Sequence, residues 1–561
     1  MEEERLNRVK NWMGFPTMAF DYVLKHVIKD ISKVDRVALC NIRYQVQNRD
    51  KFYKGYDEKY LLSRELLLNN STTAKDKSKT TFRSVLAKTP LKSLYRSINP
   101  VKEEPDLDTD YIVSKGFPRE KICRVEHHLC HAAAVYYGLV KDVNEKYLVF
   151  TLDGGGDQFR DTVSIAQGGK IERVGGSYNF SVGNLYSGLT YHLGFTPHEH
   201  EYKLMGLAPY ANKKYAGKYK DMFYKYLNLA NDDTEFVNPI PMNSADYFKY
   251  LQQDFSHCRF DNMAAGLQDF TEEIVIRWIK GNMKKHGINK ILGSGGVFMN
   301  VKLNMLISKL PEVEFIDVFP SCGDESNIFG AAFYVFNEEC ERKVGLLDKY
   351  TLGIRAEDDL DAAISKYKDT LVIEKHDGIN KWVASQLVDN KIVARCSGEM
   401  EFGARALGNR SIMANPSNMQ NVNKINQAVK KRDFWMPFAP ASTDELMYDA
   451  FVIPKSLKPH GSPYMMFAFD TNEAIKESVV CGIHQADNTA RVETLNKERY
   501  PAFHEIVTEF HRLTGIPASL NTSFNLHGFP IVATTQEAIE VLLDSKIDIL
   551  VVGDYSFRKK N

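Results

Sequence analysis

Two histidines, His127 and His131, have a spacing that suits metal chemistry. The Ala-rich residues after them favour a helix over 126–137, and residues four apart lie on one face of a helix. Both imidazoles could therefore bind one cation. An isolated pair of this kind is more often a pair of hydrogen-bonded core histidines, so the metal interpretation depends on further ligands.

Two aspartates are candidates for those ligands. Asp153 follows the apolar run 147–152, and Asp324 follows the apolar run 313–319. Such runs predict buried strands, and α/β sheets present their ligands at strand ends. Two imidazoles and two carboxylates suit a transition metal with open coordination positions. The sequence therefore predicts a metal site formed by these four side chains.

Glycine-rich segments in the same half of the chain suit nucleotide binding. Residues 153–157 read Asp-Gly-Gly-Gly-Asp, and residues 293–300 read Gly-Ser-Gly-Gly-Val-Phe-Met-Asn. Glycine amides can approach phosphate oxygens without steric cost. Lys203, beside a further glycine, is another candidate for a phosphate contact. His198 and His200 are weaker metal candidates, because residues two apart do not face each other on a helix.

A second group of polar residues lies nearer the carboxyl terminus. Cationic and amide side chains alternate with glycines there, at Arg405, Arg410, Lys430, Arg432, Arg491, Asn521 and Asn525. Guanidinium groups bind phosphate oxygens in a bidentate manner. Ordinary surface charge is a poor explanation for the arginines in Gly-Ala-Arg-Ala-Leu-Gly-Asn-Arg. We interpret this group as a site for polyanions such as ATP and a second phosphate compound.

Composition limits the classes of partner. The chain has 561 residues, 43% of them hydrophobic and 26% charged, which is enough for at least two domains. Its 72 basic and 72 acidic residues balance, so no overall field favours nucleic acid or membranes. The Lys- and Arg-rich segment 71–97 is interpreted as a solvated insertion, with contact to an anionic acceptor, such as a nucleic acid or nucleotide, as the alternative.

The cysteines and the apolar runs bear on the compartment. The eight cysteines include no Cys-x-x-Cys pair, which predicts reduced thiols. The apolar runs are too short to span a bilayer, and the start Met-Glu-Glu-Glu-Arg differs from a signal peptide. We therefore expect a cytoplasmic protein without a membrane segment.

Alternating strand and helix patterns predict an α/β fold. In the first part of the chain they predict strands over 147–152, 291–292 and 313–319 and an amphipathic helix over 266–280. The pattern breaks near 343–358. A new series then predicts a strand over 371–373, a helix over 378–388, a strand over 392–395, a helix reciprocally capped by Thr534 and Glu537, and a strand over 547–552. We expect two domains, 1–350 and 351–561.

Several motifs, in order along the chain, carry a resemblance to a known family. They are 3–10 (Glu-Glu-Arg-Leu-Asn-Arg-Val-Lys), 14–16 (Gly-Phe-Pro), 127–132 (His-His-Leu-Cys-His-Ala), 153–157, 201–209 (Glu-Tyr-Lys-Leu-Met-Gly-Leu-Ala-Pro), 295–300, 322–325 (Cys-Gly-Asp-Glu) and 402–411 (Phe-Gly-Ala-Arg-Ala-Leu-Gly-Asn-Arg-Ser). Together they resemble the O-carbamoyltransferases of the NodU and tobramycin carbamoyltransferase type. The resemblance implies an actin-like amino-terminal domain (RNase H-like, ASKHA type) and a YrdC-like α/β carboxy-terminal domain.

The resemblance also implies an activity and a set of site residues. In such enzymes the second domain makes carbamoyl-adenylate from carbamoyl phosphate and ATP, releasing pyrophosphate. The first domain then moves the carbamoyl group to an acceptor hydroxyl and releases AMP. The implied metal is Fe(II) or a similar divalent transition metal on His127, His131, Asp153 and Asp324, with Mg²⁺ accompanying ATP. The implied nucleotide-binding residues are Lys10, Asp153, Gly154, Gly155, Gly183, Lys203, Gly296, Val297 and Asn300. The implied contacts to carbamoyl phosphate and ATP are Arg405, Lys430, Arg491 and Asn521.

Two positions depart from the family pattern. In the family, a strand with a His-Asp-Ser motif, whose histidine is the proposed general base, precedes the Glu-Glu-Arg segment, whereas here Met1 stands directly before Glu2. We therefore expect that element, with the first strands of the amino-terminal sheet, to be encoded upstream of Met1. Met436 stands where the family usually has an arginine, so we expect one phosphate contact to be missing or to be replaced by the neighbouring Lys431 or Arg432.

The acceptor stays open at this point. The resemblance is compatible with a hydroxyl of a sugar, an antibiotic, a polysaccharide precursor or a modified nucleoside. A fusion for tRNA threonylcarbamoylation is an alternative, which the Gly-Ala-Arg-Ala-Leu-Gly-Asn-Arg-Ser run disfavours. An amino-terminally truncated, inactive remnant or a binding subunit is another. The oligomeric state, a homodimer included, is also left open.

Overall fold

The computed structural model describes residues 2–42, 54–55, 57–58, 106–178, 180–240, 244–339, 347 and 349–560. The basic segment 71–97, and with it the expected contact to an anionic acceptor, lies outside these described residues. None of the helices within them is long and apolar enough to cross a bilayer. The cysteines within them are all free thiols.

The amino-terminal part is built on a five-stranded sheet. Its strands and those of two small ribbons are β1 (Val37–Cys40), β2 (Ile122–Val125), β3 (Tyr147–Gly156), β4 (Phe159–Gln167), β5 (Lys170–Ser177), β6 (Asn228–Leu229), β7 (Phe236–Val237), β8 (Lys290–Ser294) and β9 (Phe315–Val318). The sheet has the order β5-β4-β3-β8-β9. Strands β3, β8 and β9 are parallel, and β4 and β5 continue the sheet antiparallel. Their parallel carboxyl ends therefore meet at one edge.

The amino-terminal part also contains helices. They are α1 (Glu3–Asn7), α2 (Thr17–Val23), α3 (Leu107–Ser114), α4 (His127–Leu139), α5 (Val182–His192), α6 (Glu201–Leu207), α7 (Lys213–Phe223), α8 (Ser244–Phe255), α9 (Phe260–His286), α10 (Val301–Ser308) and α11 (Asn327–Glu339). The predicted helices over 126–137 and 266–280 are confirmed as α4 and as the middle of α9. Phe150 of β3 and Trp278 of α9, whose ring centroids lie 5.0 Å apart, join that helix to the sheet.

The predicted strands of this part are confirmed, with one correction. Asp153 and the three glycines after it were expected to form a loop, but they continue β3 to Gly156. Gly156 pairs with Phe159 across a tight turn, after a shift of register between Leu152 and Gly156 in which Gly155 has a φ of 132°. The sequence alone suggested a loop because glycine disfavours strand interiors.

The carboxy-terminal part is built on an eight-stranded sheet of order β11-β22-β21-β12-β14-β20-β15-β19. The strands of this part are β10 (Thr351–Arg355), β11 (Leu371–Lys375), β12 (Val393–Cys396), β13 (Glu399–Glu401), β14 (Arg410–Ala414), β15 (Ala439–Thr443), β16 (Phe451–Val452), β17 (Ala468–Thr471), β18 (Thr489–Arg491), β19 (Glu493–Leu495), β20 (Ser519–Ser523), β21 (Ile549–Val552) and β22 (Tyr555–Lys559). Its helices are α12 (Leu360–Tyr367), α13 (Ile379–Val388), α14 (Met419–Ile425), α15 (Met447–Ala450), α16 (Pro501–Thr514) and α17 (Thr535–Asp544).

The elements predicted for this part are confirmed, and the cap of α17 is half right. Thr534 Oγ1 accepts from the backbone N–H of Glu537 (3.3 Å), as predicted. The Glu537 carboxylate instead accepts from the N–H of Ala533 (2.7 Å), one residue before the position that a reciprocal cap requires.

The two parts pack tightly against each other. Phe329 of α11 meets Phe402 with ring centroids 4.7 Å apart. Arg5 of α1 donates from Nη2 to the carbonyl of Gly403 (2.8 Å), and Asn304 of α10 donates from Nδ2 to the carbonyl of Met466 (2.8 Å). The larger sheets draw their strands from 147–318 and from 371–559, on either side of the predicted boundary at 350.

Candidate metal centre and anion pocket

The structure brings the four predicted metal ligands together. His127 and His131 project from α4, Asp153 from β3, and Asp324 from a single helical turn, 324–326, that follows β9. Nε2 of each imidazole lies 3.3 Å from Asp153 Oδ2. The distances to Asp324 Oδ1 are 3.4 and 3.6 Å, and the two Nε2 atoms are 3.2 Å apart. Ligand atoms each ~2.1 Å from one ion would lie roughly 3.0–3.4 Å apart, so the set fits a shared ion.

Local packing fixes α4 at this edge of the sheet. Glu126 caps the helix by accepting from the N–H groups of His128 (3.1 Å) and Leu129 (2.9 Å). The ring of His127 lies so close to Gly156 that a Cβ there would be 2.1 Å from it. A Cβ on Gly330 of α11 would lie 1.7 Å from the carbonyl oxygen of Cys130. Glycine at both positions therefore lets the histidine helix reach the strand end.

Neighbouring side chains set the histidine tautomers. Asn41 Oδ1 lies 2.8 Å from His127 Nδ1 and can only accept, so Nδ1 carries the proton and Nε2 presents a lone pair to the cluster. Nδ1 of His131 lies 3.3 Å from Ser326 Oγ. That hydroxyl donates to the carbonyl of Gly323 (2.8 Å) and so accepts from the imidazole. Both rings thus turn Nε2 toward the shared point, as metal-bound histidines do.

Replacing Asn41 by alanine is expected to weaken metal binding by about 10- to 100-fold, because the His127 tautomer is no longer fixed. Competition against a chelator measures this affinity. Thr151→Val is the matched control, since it removes the partner of His128 Nδ1 (2.7 Å), an imidazole outside the cluster. If both variants lost the same amount of metal affinity, the proposed role of Asn41 would be contradicted.

Electrostatics favour cations at this point. Burial lowers the pKa of His131, but hydrogen bonds to Asp153 and Asp324 outweigh burial and raise it to about 9. Burial also lowers the pKa of His127, and the charge of Asp324 leads the effects that raise it overall. The two imidazoles in turn hold the pKa of Asp153 well below its usual range, against the effect of its burial. Without metal, protons occupy the place that the ion would take.

Metal affinity is therefore expected to rise with pH, about tenfold per unit for each proton displaced, and to level off above a pH of about 9. The stability of the metal-free protein should show the opposite trend. A raised histidine pKa stabilises the fold fully below the ordinary value of 6.5, and this contribution is lost as the pH rises through about 9. Titration calorimetry in buffers of different protonation enthalpy counts the released protons, and pH-independent affinity would contradict the prediction.

Some of the predicted nucleotide-binding residues lie next to the metal cluster. A Cβ on Gly183 would lie 2.8 Å from the backbone N of Gly154, and a Cβ on Gly296 would lie 3.0 Å from Asp153 Oδ1. The amino terminus of α5 and the turn after β8 therefore close on the end of β3. The space over Gly155 is filled by the Arg160 side chain, 1.6 Å from where a Cβ would be.

Two further predicted nucleotide-binding residues, Val297 and Asn300, have buried side chains. Asn300 caps α10 through the N–H of Leu303 (3.1 Å) and donates to Gln268 Oε1 (2.9 Å), so its side chain is engaged internally.

The two predicted nucleotide-binding lysines, Lys10 and Lys203, lie close to residues of the carboxy-terminal part. Lys203 Nζ pairs with Asp433 Oδ2 at 3.0 Å. The charge of Lys10 contributes to lowering the pKa of Lys430. Of the weaker metal candidates, His200 Nδ1 accepts from the N–H of Thr196 (3.1 Å), which points to a structural role.

A cluster of cations forms a second site. Burial, together with neighbouring cations, lowers the pKa of Lys430 and Arg491 well below the usual range, and burial lowers that of Arg405 and, to about 10, that of Arg432. The Nε atoms of Arg405 and Arg491 are buried without hydrogen-bond partners. Lys430 Nζ contacts neutral oxygens, Ser523 Oγ at 2.9 Å among them. Arg405, Lys430, Arg432 and Arg491 thus form one cluster of positive charge, which we call the anion pocket.

The structure separates the cations that were predicted from the sequence into two groups. Arg432, one of the two candidates to replace the arginine missing at Met436, joins the anion pocket, whereas Lys431 is exposed. Arg410 was interpreted as functional, but it is fully buried and donates to backbone carbonyls, including Ile354 O (2.9 Å) and Ala533 O (3.0 Å). Its role is to hold segments together.

The loop 402–409 links the two sites. Glu401 Oε1 accepts from the N–H groups of Leu407 (2.8 Å), Asn409 (2.6 Å) and Arg410 (3.1 Å), which shapes the loop that carries Arg405. The same loop contacts the Asp324 segment, where the N–H of Ala404 lies 3.4 Å from Ser321 Oγ. Sequence reasoning missed Glu401 because its three partners become visible only in the folded loop.

Comparison with known proteins gives the family to which this α/β protein belongs. The family described as Carbamoyltransferase N-terminus matches residues 1–333, and that described as Carbamoyltransferase C-terminus matches residues 384–559. The chain therefore belongs to the carbamoyltransferase family. It is a transferase that moves carbamoyl groups.

Individual relatives agree with this family. Nodulation protein NolNO of Sinorhizobium fredii is 27% identical over 100% of this chain and 77% of that protein. Nodulation protein NolO of Bradyrhizobium diazoefficiens is 31% identical over 78% of this chain and 79% of that protein. An uncharacterized protein of Methanocaldococcus jannaschii is 30% identical over 100% of this chain and 95% of that protein. A solved structure of full-length HypF in its phosphate- and nucleotide-bound form is 14% identical over 46% of this chain and 50% of that chain, with a TM-score of 0.26, which is too low to support an argument.

Proposed function

We propose that this carbamoyltransferase activates carbamoyl phosphate with ATP and then transfers the carbamoyl group to an acceptor hydroxyl. The observation that carries the proposal is the anion pocket, whose four cations (Arg405, Lys430, Arg432 and Arg491) take part in none of the ion pairs among the described residues. Lys430 is buried and the three guanidinium groups are half-buried, and a cluster of like charges of this kind is costly for folding. A polyanionic substrate would supply the missing charge.

The chemistry of activation follows from atom balance. Water cleaves carbamoyl phosphate to carbamate and phosphate, and a carbamate oxygen attacks the α-phosphorus of ATP and displaces pyrophosphate. The product, carbamoyl-adenylate, is a labile mixed anhydride, so enclosure from water between the two sites protects it. The loop 402–409, which contacts both sites, offers a short path between them.

The metal cluster would serve the transfer step. His127, His131, Asp153 and Asp324 offer two nitrogen and two carboxylate ligands, which suit Fe(II) or a similar divalent ion. A divalent ion held by these four residues would supply Lewis-acid chemistry at the carbamoyl carbonyl. Asp153, Gly154, Gly183 and Gly296 would receive the adenylate beside it, while Lys10 and Lys203 neutralise phosphate on the side of the anion pocket, where Mg²⁺ accompanies ATP.

We further propose an actin-like domain for 1–350 and a YrdC-like domain for 351–561. The acceptor is proposed to be the hydroxyl of a small molecule or glycan. Exchange of labelled pyrophosphate into ATP tests the activation step. We expect exchange that depends on carbamoyl phosphate. Exchange that depends on threonine and bicarbonate would instead indicate threonylcarbamoylation, and no exchange with any of them would indicate an inactive remnant or a binding subunit.

A further inference from the structure

A buried carboxyl group, Glu493, has no role in the sites described so far. It lies at the start of β19 with 0% of its surface exposed. Its Oε2 accepts from Asn521 Nδ2 (2.5 Å), whereas Oε1 is buried without a partner. Burial raises the pKa of Glu493 well above its usual range, so the group is neutral and keeps a proton to donate. A buried, half-satisfied acid requires an explanation.

The amide of Asn521 has a fixed orientation because of this acid. Its Nδ2 donates both protons, one to Glu493 and one to the carbonyl of Ala406 (2.9 Å). The remaining atom, Oδ1, is buried without a partner. An amide whose two donors are used can offer a ligand only its acceptor. Asn521 is therefore prepared for a ligand that donates an N–H or O–H.

Two contacts link Asn521 to the segments that carry the anion pocket. Ala406, which accepts from Asn521, directly follows Arg405 on the loop 402–409. Ser523, two residues after Asn521 on the same face of β20, contacts Lys430 Nζ at 2.9 Å. Asn521 therefore lies next to the segments that carry Arg405 and Lys430.

We infer that Glu493 is a positioning residue that orients Asn521 so that its Oδ1 accepts a hydrogen bond from the amino group of the carbamoyl substrate. This inference rests on the proposed function. The neutral carboxyl adds a donor at Oε1, so the pair presents one donor and one acceptor, which complement the C=O and N–H edge of a carbamoyl group. Acetyl phosphate has the same phosphate but a methyl group in place of the amino group. It would leave the Asn521 oxygen unpaired, which disfavours it.

Selectivity between carbamoyl phosphate and acetyl phosphate tests this inference. In pyrophosphate exchange by the full-length, metal-loaded protein, Glu493→Leu is expected to lower kcat/KM for carbamoyl phosphate by about 10²-fold or more. The inhibition constant of acetyl phosphate as a competitor should stay within a few-fold of the wild type. Glu493→Gln, which keeps an acceptor for Asn521 and a second donor, should retain most of the selectivity. If Glu493→Leu weakened the interaction with carbamoyl phosphate and with acetyl phosphate by the same factor, the inference would be wrong.

A control separates positioning from simple loss of structure. Ser442→Ala in neighbouring β15 removes another buried hydrogen bond, from Oγ to the carbonyl of Pro517 (2.7 Å), at a position without a link to the cations. It should lower the thermal unfolding midpoint and leave selectivity unchanged. If Glu493→Leu fails to fold, Glu493→Gln still decides, because loss of selectivity in that variant contradicts the inference. Absence of carbamoyl phosphate-dependent exchange in the wild type would instead refute the proposed function.

Discussion

Replacing His131 by alanine is expected to abolish metal uptake and carbamoyl transfer while leaving pyrophosphate exchange intact. His131 is fully buried, and its Nε2 lies within 3.6 Å of the nearest ligand atoms of His127, Asp153 and Asp324. The substitution removes one of the four metal ligands. Without the metal as a Lewis acid, the activation free energy of transfer should rise by several kcal/mol, which lowers the transfer rate by about 10³-fold. Exchange occurs at the anion pocket, which this substitution does not touch.

Metal content per chain and the two half-reactions, assayed separately, measure this result. The matched control is His128→Ala, which removes the next imidazole on the same helix, one that bonds Thr151 rather than the cluster. That control should keep its metal. If His131→Ala also lost pyrophosphate exchange while remaining folded, the two reactions could not occupy separate sites.

Replacing Arg405 by alanine should give the reverse pattern. Its guanidinium is one of the four cations of the anion pocket, which form no ion pair within the described part of the chain, and its Nε is buried without a hydrogen-bond partner there. Removing one preorganised charge from a phosphate site costs about 10²- to 10³-fold in rate. Pyrophosphate exchange should fall by that factor, and metal content should be unchanged.

The stability of Arg405→Ala gives an independent check. Arg405 is half-buried, and a cation next to other cations destabilises the fold, so its removal should leave the unfolding temperature unchanged or raise it. Arg355→Ala is the control, since that side chain is 60% exposed and pairs with Glu357 at 3.4 Å. A clear fall in the unfolding temperature of Arg405→Ala would assign Arg405 a structural role like that of Arg410.

The contrast between Arg405 and Arg410 shows where prediction from sequence stops. Both arginines lie in one run of Gly, Ala and Leu, and both looked suited to phosphate. In the fold, the backbone carbonyls of Ile354 and Ala533 accept from Arg410 Nη2, whereas Arg405 lies near the like charges of Arg432 and Arg491. The two partners of Arg410 are 56 and 123 positions away in the chain, so spacing alone could not separate the two arginines.

The sequence by itself determined the local elements and the convergence of the metal cluster. Periodicity sets the helix that aligns His127 with His131, and apolar runs set the strands that end near Asp153 and Asp324, because these patterns act over a few residues. The tertiary structure alone decided that Asn41 fixes a tautomer and that Glu493 orients an amide. The tertiary structure also places Gly154, Gly155 and Gly156 within β3. Hydrogen bonds between residues far apart in the chain depend on strand register and burial, and neither is present in local spacing.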